Sequence, residues 1–153
     1  MPMEIRVGDL FEATDLPALA HGCNCAGSMG KGIAAEFRRR WPDMYEAYRA
    51  RCKEGRFRPG DVFTWDADGK TIFNLATQRS PRPSARLEYI DDSLRKAITI
   101  AEARRIRTVG MPRMGAGLGG LNWSDVKGVI EAIAGDTPIA LVVYERPRSA
   151  ASH

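Results

Sequence analysis

Apolar positions recur along the chain in two rhythms that alternate from one end to the other. Ile5 and Val7 flank Arg6, which predicts a short first strand ending at Gly8-Asp9. Residues 18–23 are small and apolar and predict a buried second strand. Ile33, Phe37 and Trp41 then follow helical spacing, with Arg38, Arg39 and Arg40 on the outside. Pro42-Asp43 opens another helix to Lys53, since proline is tolerated in a first turn. Residues 62–65 and 71–75 flank Asp66-Ala67-Asp68-Gly69, a hairpin signal. Residues 80–84, Ser-Pro-Arg-Pro-Ser, can continue neither strand nor helix and predict a loop. Leu87, Ile90, Leu94, Ala97, Ile98 and Ala101 trace one face of a long helix. A strand at 107–111, a helix at 124–134 and a wholly apolar strand at 139–144 complete the pattern. Strands interleaved with helices give an α/β fold, a three-layer α/β/α sandwich, and the one hairpin makes the central sheet mixed.

Between these elements lie two glycine-rich loops. The first, residues 27–33, is Gly-Ser-Met-Gly-Lys-Gly-Ile and runs into a helix. The second, Gly115-Ala116-Gly117-Leu118-Gly119-Gly120, follows the strand at 107–111 and precedes a helix. Glycine lets backbone N–H groups approach phosphate oxygens with no Cβ in the way, and a helix N-terminus adds unpaired donors. A pair of such loops suggests a nucleotide diphosphate held from both sides.

Two familiar nucleotide-binding patterns are excluded. Gly30-Lys31 invites a Walker A assignment, but the earlier glycine is missing at Cys25 and Gly32 stands where Ser or Thr is needed. Gly115, Gly117 and Gly120 satisfy G-x-G-x-x-G, yet one helix and one strand are too little chain to complete a dinucleotide fold.

Composition narrows the class. At 153 residues and 44% hydrophobic content the chain suits one globular domain. The first six residues lack a signal-peptide core, and no apolar run approaches the roughly 20 residues of a membrane span. The expectation is a cytoplasmic monomer with no membrane partner. Three cysteines make no disulfide framework, and His21, Cys23 and Cys25 are better explained as buried small groups than as a metal site. The net charge of +4 suits a polyanionic partner, so nucleic acid is admitted, although a solvated arginine-rich surface accounts for it equally well.

Five segments together resemble the macrodomain family, in the branch of terminal ADP-ribose protein glycohydrolases and antitoxin-type macrodomains. They are Gly8-Asp9-Leu10-Phe11, His21-Gly22-Cys23-Asn24, Met29-Gly30-Lys31-Gly32-Ile33-Ala34, Asn74-Leu75-Ala76-Thr77, and residues 112–123 around the second glycine loop. The resemblance spans positions 4 to 146, with its motifs in the family's order. It implies an ADP-ribose cleft over one edge of the sheet and no cofactor. Asp9, helped by the Leu10 backbone, would take the adenine amino group, and Tyr144 would lie against the adenine face. Gly30, Gly32 and Ile33 would approach the diphosphate and proximal ribose. Gly115, Ala116, Gly117, Leu118 and Gly119 would close over the diphosphate and distal ribose, near Asn24.

The chain departs from that branch at two places. A lysine that follows the threonine in the branch is Gln78 here, and a loop aspartate used by some members is Gly119. Neither an amine nucleophile nor a loop carboxylate is in place. The resemblance therefore implies a hydrolase that positions water with Asn24 and Gln78 as candidate catalytic residues. The expected linkage is mono-ADP-ribose on glutamate or aspartate side chains, whose leaving carboxylate needs little acid help. Alternatives are a reader of ADP-ribose or ADP-ribosylated protein without turnover, and a hydrolase of ADP-ribosylated DNA or O-acetyl-ADP-ribose. His21 is a tempting base, but a histidine on a buried strand is more often a hydrogen-bonded core residue.

Overall fold

The computed structural model describes residues 1–146. The frayed tail expected at 147–153 lies outside the described residues. The strands are β1 (Glu4–Val7), β2 (Ala18–Asn24), β3 (Val62–Ala67), β4 (Lys70–Gln78), β5 (Thr108–Met111) and β6 (Ala140–Glu145). The helices are α1 (Gly32–Arg40), α2 (Pro42–Lys53), α3 (Leu87–Ala103) and α4 (Trp123–Gly135), with 3-10 turns at Leu10–Glu12 and Gly117–Gly119. No helix among the described residues is long and apolar enough to cross a membrane.

The strands form one sheet in the order β1-β6-β5-β2-β4-β3, parallel throughout except for β3, which runs antiparallel to β4. The mixed sheet has the single hairpin the sequence predicts, closed by Asp68-Gly69 alone. Both turn residues have positive φ, 54° and 72°, as a tight two-residue hairpin requires.

Alternation along the strands sorts side chains to two cores. Ala18, Ala20, Phe73, Leu75, Leu141 and Val143 pack with α3 and α4 on one face. Leu19, Cys23, Ile72, Ala76, Val142 and Tyr144 pack with α1 and α2 on the other. The apolar face read along α3 is the buried one: Ile90, Leu94, Ala97 and Ala101 are fully covered.

One boundary matters for the site. The sequence ends the fourth strand near Leu75, but β4 continues to Gln78. Its pairing with β2 persists through Cys23↔Ala76, shifts register, and resumes at Asn24↔Gln78. Cys25 N extends the ladder by donating to Gln78 O at 3.0 Å. Thr77 and Gln78 are thereby carried on a rigid strand rather than on a loop.

The chain reverses its progress across the sheet between β2 and β5, because β4 lies on one side of β2 and β5 on the other. β2 and β5 pair only at Ala18↔Val109 and Leu19↔Gly110. Beyond those pairs the two strands separate and leave a crevice at their C-terminal ends. In open α/β sheets ligands bind at such a point.

Candidate active site

Both glycine loops grow from the two strands that border the crevice, the first from β2 and the second from β5. Between them is a hollow of about 230 Å³ walled by Gly32, Ile33, Gln78, Gly115, Ala116 and Gly119. It shares Gln78, Lys31 and Ala34 with a second hollow of about 240 Å³ beside Asn24, Ser28 and Gly30. It shares Ile33 and Arg113 with a third of about 650 Å³, walled by Gly8, Leu10, Tyr144 and Glu145. The shared walls make one groove across the C-terminal ends of the parallel strands.

Backbone donors supply the groove's chemistry. α1 starts at Gly32 with no side-chain cap; Lys31 precedes it in extended conformation. Its first-turn N–H groups therefore stay unpaired beside the hollow, where an anion would satisfy them. Opposite, Gly115, Ala116 and Gly119 wall the hollow, and Gly117, with φ of 62° and open space where a side chain would start, turns the chain between them. Leu118 and Gly119 complete that 3-10 turn.

The first loop is held from below by side chains. Asn24 Oδ1 accepts from Ala26 N at 2.9 Å and Ser28 N at 3.3 Å, and its Nδ2 donates to Ser28 O at 2.8 Å. Tyr48 Oη donates within reach of both Asn24 O at 2.7 Å and Asn24 Oδ1 at 3.0 Å. Asn24 thus lines the hollow, but its carbonyl oxygen is fully engaged in shaping the loop. One helical turn earlier, Tyr45 Oη donates to Gly27 O at 3.1 Å. Sequence reasoning missed these two tyrosines. Their signal was available: a tyrosine pair three apart on a helix's buried face must find partners for both hydroxyls.

At the far end, Asp9 is placed less directly than expected. Gly8 and Leu10 wall the hollow, while Asp9 between them caps the 3-10 turn, its Oδ1 accepting from Phe11 N at 2.9 Å. Tyr144 contributes the rim of a largely buried ring whose hydroxyl accepts from Arg6 Nη1 at 3.1 Å. Arg113 also borders this hollow, donating twice to Glu145 Oε1 at 3.0 and 2.6 Å, an ion pair that the sequence did not advertise.

His21 belongs to the core. It is fully buried, stacks on Phe37 at 3.7 Å between ring centroids, and donates from Nε2 to Asn74 Oδ1 at 2.6 Å. The tautomer follows because Asn74 Nδ2 is itself donating to Phe63 O. Burial lowers the ring's pKa from 6.5 to about 4, against a smaller upward pull from Asn74. The unfolded chain protonates this histidine near 6.5. Stability from the neutral ring is therefore intact above that pH and drains away as pH falls toward 4, by up to about 3 kcal/mol. Urea titrations at pH 7 and pH 4.5 should show the loss in the wild type and a smaller one in His21→Gln; an equal loss would contradict the assignment. Burial also raises the thiols of Cys23 and Cys25, the latter to about 12, so neither is a ready thiolate. Among the described residues no three His, Cys, Asp or Glu side chains gather as metal ligands.

A family profile for the Macro domain matches residues 20–130, which covers both glycine loops and the strands that carry them. The chain belongs to the macro domain family. This macrodomain is 36% identical over 151 residues to the DNA ADP-ribosyl glycohydrolase of Thermus aquaticus, covering 95% of this chain and 42% of that protein. The solved macrodomain of Mycobacterium tuberculosis DarG superposes with a TM-score of 0.87 at 36% identity, covering 96% of this chain and 98% of that one. The human ADP-ribose glycohydrolase OARD1 is 29% identical over 137 residues, covering 90% of this chain and 87% of that protein. The macrodomain described here spans less than half the length of the first curated relatives it matches.

The two departures from the branch are now placed in space. Gln78 sits at the junction of two hollows. Gly119 is in close contact with the segment before α3: a Cβ there would lie 3.0 Å from Ala85 Cβ. No side chain, and so no carboxylate, fits at 119 unless Ala85 moves.

Proposed function

We propose that this macrodomain hydrolyses ADP-ribosyl linkages, with the diphosphate between the two glycine loops and the scissile bond beside Gln78. The observation that carries it is the groove itself: uncapped α1 and the second glycine loop, through Gly115, Ala116 and Gly119, face each other across the crevice. The uncapped first turn of α1, with close backbone approach allowed by the glycines opposite, suits a doubly charged linker such as a diphosphate. Adenosine would lie toward Gly8, Leu10 and Tyr144, and the distal ribose toward Asn24 and Gln78. Water adds to the anomeric carbon, the bond to the carrier breaks, and the leaving group takes up a proton. With no amine at 78 and no carboxylate at 119, the rate comes from holding water and ribose in a reactive arrangement, which is worth several kcal/mol.

For the carrier, the charge distribution favours nucleic acid. Arg113 and Arg146, at the adenosine end, are paired with Glu145 and Glu36. Lys31, Arg49, Arg79 and Arg82, around the Asn24–Gln78 end, make no ion pair among the described residues. Free cations where the carrier leaves the groove suit a phosphate backbone. The names of the Thermus aquaticus and mycobacterial relatives agree with this choice. The second reading keeps carboxylate esters on protein as substrate, because the leaving carboxylate needs little acid help and Gln78 supplies none.

ADP-ribose at millimolar concentration should raise the melting temperature; no shift would remove the site. Single-stranded DNA carrying ADP-ribose on thymine should then release free ADP-ribose, more slowly as salt rises. Release from glutamate-linked protein alone would select the ester reading, and binding without any release would leave a reader.

A further inference from the structure

The segment between β4 and α3 is a small closed structure. Its ends, Gln78 and Ala85, meet as an isolated antiparallel bridge. Inside it, Ser84 Oγ lies 2.8 Å from Arg82 O and 3.2 Å from Ser80 O, and accepts from Ser80 N at 3.3 Å. On its outer side Ala85 N donates to Gly119 O at 3.1 Å, and Arg86 N to Thr77 O at 3.3 Å. It forms a strap from the β4 end of the groove to the second glycine loop.

Gln78 is tied into this strap by one end of its side chain only. Nε2 donates to Ser80 O at 2.7 Å and reaches Arg82 O at 3.3 Å. Those are the two carbonyls that Ser84 Oγ also faces. Carbonyl oxygens can be served only by the NH2 end of the amide, so the orientation of the carboxamide is decided by its surroundings. Oε1 receives no hydrogen bond from the described residues. It is not sealed in either, since no buried side-chain polar atom there lacks a partner. It faces the second loop, 3.4 Å from where a Cβ on Gly119 would stand. Asn24, the other amide at this end, has its oxygen engaged three times. Gln78 Oε1 is the side-chain amide oxygen left open.

We infer that the strap is a positioning device, with Ser84 as the positioning residue: it engages the amide hydrogens of Gln78 and holds Oε1 open as a fixed acceptor for an O–H group in the groove. The identity of that group rests on the ADP-ribosyl reading above; it is a hydroxyl of the distal ribose or the attacking water. An amide oxygen accepts a hydrogen bond without taking the proton. It therefore orients its partner and acts as a base toward neither. Preorganisation by the strap avoids the ordering cost of a free glutamine side chain.

The strap itself is tested without ligand. In the unliganded protein the Gln78 side-chain NH2 resonances should exchange slowly with solvent. Ser84→Ala should abolish that protection and Ser84→Thr should keep it. Ligand assays then test the acceptor. Ser84→Ala should weaken ADP-ribose binding by about tenfold if the partner is a ribose hydroxyl, or slow single-turnover release by about tenfold if it is water. In a Gln78→Met background, which lacks both ends of the amide, Ser84→Ala should have no further effect. Equal losses in both backgrounds, or a freely exchanging Gln78 amide in the wild type, would overturn the inference. A protected amide in a protein that neither binds nor releases ADP-ribose would instead fault the proposed function and leave the positioning of Gln78 standing.

Discussion

Gly117→Glu is expected to lower ADP-ribose affinity by at least about a hundredfold, or roughly 2.7 kcal/mol. Residue 117 starts the turn that faces α1, and nothing lies within 4 Å of the place its Cβ would occupy. A side chain there is unobstructed, and the proposed function puts the diphosphate beside this loop, so the carboxylate stands close to like charge. Two like charges 4 Å apart near a protein surface repel by about 4 kcal/mol, enough to reach the stated loss with part of it screened. Gly117→Ala separates charge from backbone strain. Its positive φ costs a β-carbon about 1–2 kcal/mol of stability, while affinity should fall much less than in the glutamate variant. Calorimetric titration of the three proteins decides it. Unchanged affinity in Gly117→Glu would remove the second loop from the ligand site.

Phe37→Ala should produce the largest loss of stability, about 3–5 kcal/mol. Phe37 is fully buried in the middle of α1. It stacks on His21 of β2 and meets Phe11 edge-on at 4.9 Å, so one ring ties α1 to the sheet and to the Leu10–Glu12 turn. Removing it opens a cavity beside a buried imidazole. Denaturant titration should show the drop. The pH dependence assigned to His21 should weaken in the same variant, because a ring reached by water is protonated more readily. A loss below about 1 kcal/mol would mean that the site can collapse around the missing ring.

Much of the architecture is legible in the sequence because periodicity and glycine act locally. The long face from Leu87 to Ala101, the Pro42 start of α2 and the Asp68-Gly69 turn each follow from a few neighbouring residues. The family resemblance added the strand-to-loop order on which the groove is built. What the sequence hides is long-range pairing. Nothing near Leu75 shows that β4 continues to Gln78; that follows from the ladder with β2 and from Cys25. Nothing near Asn24 shows that Tyr48, on another element, engages its carbonyl. The resemblance implies an adenine role for Asp9, while its cap to Phe11 depends on a 3-10 turn too short to leave a pattern. The role of Gly119 depends on Ala85, which approaches it only once the strap is folded.

The pairing of β1 with β6 bears on the order in which the molecule assembles. Arg6 and Tyr144 stand opposite each other although 138 residues separate them. Such a closure gives up far more chain entropy than the β3–β4 turn, so β1 is among the last strands of the sheet to dock. Gly8 and Leu10 hang from that strand. A refolding molecule should therefore form its hairpin early and acquire affinity for an adenosine group only at the end. Ligand capture during refolding would time that final step.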